Sequence, residues 1–168
     1  MTTAWDVTRD LAIGAHAVSA TVAFILGIAI FTAARDGRPV RHTNAYQTCL
    51  IVMTVTLAAA IVIDWRSQGA GARIAFPALL VLALYVLWRA ARARAHAVSR
   101  APSRADRHAV VDHAGFTLVA LFDGFAIVSA IDLGAPAWLV VLVGLVGVVG
   151  GHRATRAATS AIEPTARR

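Results

Sequence analysis

The chain has 168 residues, of which 58% are hydrophobic and only 15% are charged, and its mean hydropathy is +0.68. Because an ordinary soluble domain is about 25% charged, this composition excludes an ordinary water-soluble domain and predicts an integral membrane protein. The net charge of +7 comes from arginines that lie in short blocks between apolar runs, a distribution typical of membrane topology and not of a nucleic-acid-binding surface.

Five apolar runs follow one another along the chain, and each approaches the roughly 20 residues that a membrane-spanning helix needs. They cover residues 11–34, 46–63, 74–91, 114–131 and 137–151. The third and fifth runs are short, so four spans are the alternative to five. The sequence therefore predicts an all-α polytopic membrane protein, in which residues 1–152 form a bundle of five transmembrane helices and residues 153–168 form a short basic tail.

The placement of the arginines predicts the orientation of this bundle. With five spans, thirteen of the 16 arginines fall on one side, which holds the connections after the first and third spans and the C-terminal tail. The positive-inside rule puts that side in the cytoplasm. We therefore expect a multi-pass protein of the inner membrane with its N-terminus outside and its C-terminus in the cytoplasm, where the arginines contact anionic lipid headgroups.

Aromatic residues give a second indication of depth, because Trp and Tyr concentrate where hydrocarbon meets the headgroups. Six of them are expected at these boundaries, which are Trp5, Trp65 and Trp138 on the outside and Tyr46, Tyr85 and Trp88 on the inside. No Trp or Tyr is left in the middle of a predicted span.

Small residues predict where the helices touch, because helices in lipid associate through close van der Waals packing. The fifth run carries Gly144, Gly147 and Gly151 on one helical face, and the last two form a GxxxG pair. Gly27 lies on a similar face of the first run. These faces serve either contacts within the bundle or a homo-oligomer or larger membrane complex, and the sequence leaves these alternatives open.

Asp123 is the candidate functional residue, because it lies near the middle of the fourth run in "HAGFTLVALFDGF". An Asp at the centre of a spanning helix costs about 2.5 to 3.5 kcal/mol, and residues of this kind are functional by default. The expected partner is His16 of the first span, about 7 Å away in depth, and the two would pass or sense protons. The structural alternative is a protonated Asp123 that is hydrogen-bonded to Thr54 or Thr56 of the second span.

Three histidines offer a second function. His42, His113 and His152 all fall near the cytoplasmic boundary, and two histidines on different helices at one depth can hold a b-type haem. A haem-binding electron-transfer protein is therefore the alternative to proton-linked transport or sensing, and a scaffold or assembly subunit of a membrane complex is the third possibility. The sequence has no phosphate loop, paired carboxylates or activated nucleophile, so an enzyme is not favoured.

Overall fold

The computed structural model describes residues 4–97 and 103–135, followed by residues 139, 142, 146, 147, 149–151, 153, 156 and 157. Its helices are α1 (Ala4–Arg35), α2 (Thr43–Asp64), α3 (Ala70–Ala97) and α4 (Arg104–Asp132). All four are long and apolar enough to cross a membrane, which confirms the predicted all-α membrane fold. The described positions from 139 onward, here called the C-terminal segment, are also helical, but most of the fifth predicted span falls outside the described residues.

The four helices pack in an up-and-down ring, in which α1 and α3 each contact both α2 and α4. Ion pairs between opposite helix ends show the antiparallel directions. Arg9 of α1 binds Asp64 of α2 at 2.7 Å, and Arg89 of α3 binds Asp112 of α4 at 2.7 Å. One end of the bundle therefore gathers the end of α1, the start of α2, the end of α3 and the start of α4. We call it the arginine-rich end, after Arg35, Arg38, Arg41, Arg89, Arg92, Arg94, Arg104 and Arg107.

The buried core lies in the half of the bundle nearer to the arginine-rich end. Its members are Ala23, Ile30 and Ala34 of α1, Tyr46, Leu50 and Met53 of α2, Ala83, Val86 and Ala90 of α3, and Val110, Val111 and Ala114 of α4. The alanines allow the helix backbones to approach closely. Large apolar side chains such as Phe125, which is 72% exposed, face outward, as expected for a surface that lipid solvates.

Glycines in the left-handed conformation end two of the helices. Gly37 after α1 has φ 70° and Gly134 after α4 has φ 72°. In each case the next residue donates its N–H to a carbonyl five residues earlier, as Ala135 does to Ala130 at 2.9 Å, which is the Schellman arrangement. At Gly134 the motif ends α4 and reverses the chain, so that the C-terminal segment can return along the same helix.

The helices begin earlier than the apolar runs suggested. α1 starts at Ala4 instead of residue 11, α3 at Ala70 instead of 74, and α4 at Arg104 instead of 114. Hydropathy detects only the part of a helix that lies in hydrocarbon, whereas backbone hydrogen bonding continues beyond it. At α4 a reciprocal capping box supports the early start: Ser103 N–H donates to Asp106 Oδ2 at 2.9 Å, and Asp106 N–H donates to Ser103 Oγ at 3.1 Å.

Tyr46, expected at the inner aromatic boundary, lies near the start of α2 but belongs to the core and is only 2% exposed, so its ring does not face lipid. Its ring packs beside Gly27 of α1, where the missing side chain leaves room for it. Trp5, Trp65, Tyr85 and Trp88 are exposed, whereas Trp138 lies outside the described residues. Sequence position therefore predicted the depth of Tyr46 along α2 but not the side of the helix that carries it.

Candidate functional site

Asp123 is buried in the membrane-spanning part of α4, with 5% of its surface exposed. It lies about 12 to 14 Å from either end of the apolar run 114–131, counted at the rise of an α-helix. Its Oδ1 atom is buried and has no hydrogen-bond partner among the described residues. A buried carboxylate without a partner is costly in any apolar medium, so this atom is the least satisfied acceptor at this depth of the described bundle.

The carboxylate of Asp123 lies against the C-terminal segment. A Cβ atom added at Gly147 would collide with Asp123 Oδ1, and one added at Gly151 would overlap the side chain of Val119. Because the second pair is four residues later in the segment and four residues earlier in α4, the two helices are antiparallel. The absence of side chains at these two positions thus lets the segment approach α4 of its own chain at the level of the carboxylate.

A groove of about 580 Å³ opens beside Asp123. Its walls come from α1, α4 and the C-terminal segment, and include Phe24 of α1, Phe122 of α4 and Val146 of the segment. Asp123 is the only ionisable residue among the described residues that line it. The site is therefore an apolar groove that contains a single buried acidic group.

The structure does not join Asp123 to either of the partners expected from sequence. His16 is half-buried on α1, and its Nδ1 lies 2.9 Å from the carbonyl oxygen of Met53 on α2. The hydroxyls of Thr54 and Thr56 donate to carbonyl groups of their own helix, at 2.8 and 2.7 Å. Hydroxyls on membrane helices commonly donate in this way, and neither Thr54 nor Thr56 is hydrogen-bonded to Asp123 Oδ1.

The histidines predicted as haem ligands occupy different surroundings. His42 is exposed directly before α2 and has φ 63°. His113 is half-buried on α4, where its ring faces that of His96 on α3 with 6.3 Å between the centroids. His152 lies outside the described residues. No contact of this set decides for or against haem, and the haem site stays a prediction.

A second polar cluster, which the sequence analysis did not identify, joins α3 to α4 near the arginine-rich end. His96 Nδ1 lies 2.8 Å from Asp106 Oδ1. Arg89, already paired with Asp112, also places its guanidinium 4.8 Å from the centroid of the Phe116 ring. The Ser-x-x-Asp pattern at 103–106 could have revealed the helix start, but not that Asp106 faces the end of α3.

The remaining predicted packing glycines are only partly described. A Cβ atom at Gly27 would lie 2.9 Å from Leu118 Cδ2 and 3.3 Å from Tyr46 Cε2. Gly27 therefore sits where α1, α2 and α4 meet. Gly144 lies outside the described residues. Whether these glycines also serve a contact between chains stays a prediction.

Within the described ranges, no three His, Cys, Asp or Glu side chains come together in a way that could hold a metal ion. No protein-family model, curated protein or solved structure matches this chain.

Proposed function

We propose that this multi-pass membrane protein acts in proton-linked transport or sensing, with the carboxyl group of Asp123 as its proton-binding site. The observation that carries the proposal is the Oδ1 atom of Asp123, which is buried, has no hydrogen-bond partner in the described chain, and lies beside an open groove. Protonation removes the cost of a buried, unpaired charge. A carboxyl group in these surroundings therefore binds or releases a proton according to the protons available to it.

A purely structural role for Asp123 has little support. Hydrogen bonds between membrane helices contribute only about 0.6 kcal/mol on average, and no such bond is recorded from Oδ1 to a described residue. The insertion penalty of an Asp at the helix centre is several times larger, about 2.5 to 3.5 kcal/mol. An Ala at this position would be the more stable choice, which leaves function as the reason for the carboxylate.

His16 has a secondary place in this proposal. It lies about 7 Å from Asp123 in depth, and its ring is bound to the carbonyl group of Met53. Proton exchange between the two residues would need a bridge of water along the bundle. We therefore base the proposed site on Asp123 and keep His16 as a second proton-binding group on a path toward the end opposite the arginines.

We also propose that the arginine-rich end faces the cytoplasm in the inner membrane, with both the C-terminus and the arginines on that side. The charge asymmetry between the two ends of the bundle supports this orientation through the positive-inside rule. Arginines at this end, such as the exposed Arg38 and Arg41, would attract anionic headgroups at about 1 kcal/mol for each charge near the surface.

The test is infrared spectroscopy of the purified protein in lipid, with aspartate labelled by carbon-13. The chain has eight aspartates, so the Asp123 band is read from the difference between variants. During a pH titration we expect one protonated carboxyl band of the wild type to be lost in Asp123→Asn and to persist in Asp112→Asn. Asp112 is a matched control because it lies on the same helix but its side chain is 53% exposed.

Proton entry into proteoliposomes under an imposed potential provides the functional measurement. We expect Asp123→Asn to reduce protein-dependent entry by about tenfold or more, the usual scale for loss of a proton-transfer group, and Asp112→Asn to leave it unchanged. The same titrating carboxyl bands in wild type and Asp123→Asn, or equal proton entry by the two proteins, would contradict the proposal.

A further inference from the structure

The groove beside Asp123 has the size of a small-molecule site. Its volume of about 580 Å³ lies within the roughly 300 to 1,000 Å³ that ligand pockets occupy. Phe24, Leu118 and Phe122 form part of its apolar wall, and Leu142 and Val146 of the C-terminal segment form another part. An occupant must therefore be mostly apolar.

The charge of the groove further narrows the class of occupant. Asp123 is the only ionisable side chain among its described lining residues, and Oδ1 has no partner there. Neither arginine nor histidine is found among the described residues that line this space. Among the described residues, therefore, nothing but a proton or the occupant itself would supply a positive charge to complement the carboxylate.

The groove is also accessible from the side of the bundle. Phe122, Leu142 and Val146, which line it, are 58%, 47% and 63% exposed. In a bilayer such a rim faces the acyl chains. A ligand that dissolves in lipid can reach Asp123 by this route without crossing the packed core near the arginine-rich end.

We infer that this groove binds a lipophilic organic cation, whose apolar body rests on the Phe24 and Phe122 walls and whose positive charge pairs with the Asp123 carboxylate after its Oδ1 atom turns from Gly147 toward the groove. The inference rests on the proposed function, because it gives the proton site a substrate class. Binding exchanges one cation for one proton: the neutral carboxyl group releases H⁺ and the resulting carboxylate pairs with the cation. The rings of Phe24 and Phe122 add cation–π attraction.

The experiment is equilibrium binding of radiolabelled tetraphenylphosphonium to the full chain in mild detergent. This probe carries a permanent charge, so any effect of pH on its binding comes from the protein. We expect saturable binding that weakens as the pH falls, because proton and cation compete for one carboxylate. Asp123→Asn should weaken binding about tenfold or more, as expected for the loss of a charged partner, whereas Asp112→Asn should bind like the wild type.

Three results would overturn the inference: no saturable binding to the wild type, equal binding by Asp123→Asn, or equally strong competition by the neutral analogue triphenylphosphine oxide. The last result would show that the groove accepts apolar molecules, such as lipid chains, without regard to charge. If Asp123→Asn does not fold, as judged by gel filtration and circular dichroism, the pH dependence of the wild type decides the question. If the Asp123 carboxyl band titrates but no cation binds, the inferred substrate class is wrong, whereas the proposed proton site is not contradicted.

Discussion

Asp123 can be inserted into a membrane because of the side chains around it on the same helix. Leu, Ile, Phe and Val each favour insertion by about 0.3 to 0.6 kcal/mol, on the scale on which Asp costs about 2.5 to 3.5 kcal/mol. Nine such residues lie between Phe116 and Ile131, so their sum is comparable to the penalty. The helix therefore tolerates the carboxylate, and the sequence was sufficient to identify Asp123 as unusual and to estimate its depth.

The surroundings of Asp123 could not be predicted in the same way, because depth is the only coordinate that a hydropathy pattern supplies. His16 lies at a compatible depth, but its imidazole is turned toward Met53 of α2. The rotation of a helix about its own axis depends on all of its contacts together. The rise per residue along a helix gives the depth of a side chain but not this rotation.

At His42 the backbone conformation, and not the side chain, predicts a measurable effect on stability. It has φ 63° directly before α2, a conformation that costs a non-glycine residue about 1 to 2 kcal/mol. We expect His42→Gly to raise the free energy of unfolding by up to about 1 kcal/mol, measured by thermal unfolding in mild detergent. His108→Gly, inside α4, should instead lower it by about 1 kcal/mol, because glycine disfavours a helix interior.

The same His42→Gly variant bears on the haem alternative. If only the backbone of His42 matters, the visible absorption spectrum of His42→Gly, with and without dithionite, should match that of the wild type. Loss of a haem band on this substitution, or a marked loss of stability, would show that the His42 side chain has a role that its exposed position does not reveal.

At the scale of the elements, α4 is the helix on which the rest of the site is assembled. Its start is set by the capping box of Ser103 and Asp106 and its end by Gly134. Between them it packs against α1 and α3 and against the C-terminal segment through Asp123 and Val119. The GxxxG pair was visible in the sequence, but the surface that it meets was not.

The packing of the C-terminal segment on α4 predicts different effects for adjacent glycines. Gly151→Ala should lower the free energy of unfolding by about 1 to 3 kcal/mol, the usual cost of overpacking, because its methyl group would overlap the branched and stiff side chain of Val119. Gly150→Ala should instead raise it by up to about 1 kcal/mol, since alanine favours a helix and nothing lies within 4 Å of a Cβ atom there. Thermal unfolding in detergent provides the comparison.

Val119→Ala provides the second half of this test. It removes the two methyl groups that the alanine would meet but keeps the Val119 Cβ atom, 2.7 Å from the added Cβ, so it should restore part of the stability lost in Gly151→Ala. Equal melting temperatures for Gly150→Ala and Gly151→Ala, or no rescue by Val119→Ala, would mean that the segment does not pack on α4 through this face.

At the scale of the whole molecule, the bundle is closed in one half and more open in the other. The core residues come from the end of α1, the start of α2, the end of α3 and the start of α4, whereas the groove and Asp123 lie farther from the arginine-rich end. Close packing of alanines in one half thus leaves space in the other half for the C-terminal segment and for a ligand.

The proposed orientation predicts which connections a membrane-impermeant maleimide can reach. In a Cys49→Ala background, Ser67→Cys in the α2–α3 turn should be labelled in intact spheroplasts. Pro39→Cys in the α1–α2 connection should be labelled only after permeabilisation. Both positions are exposed and leave every arginine in place. The reverse pattern would invert the topology, and equal labelling of both sites in intact spheroplasts would contradict a membrane-spanning bundle.

The sequence by itself predicted an apolar surrounding, the helical class, the four apolar helices that the structure describes and the position of Asp123 midway along one of them, because these depend on composition and on the constant rise of an α-helix. Only the tertiary structure decided that Tyr46 is buried, that His16 turns toward α2, and that the Asp123 carboxylate faces a glycine and an apolar groove. These features depend on how each helix is rotated against its neighbours, and that rotation is set by packing among residues far apart in the chain.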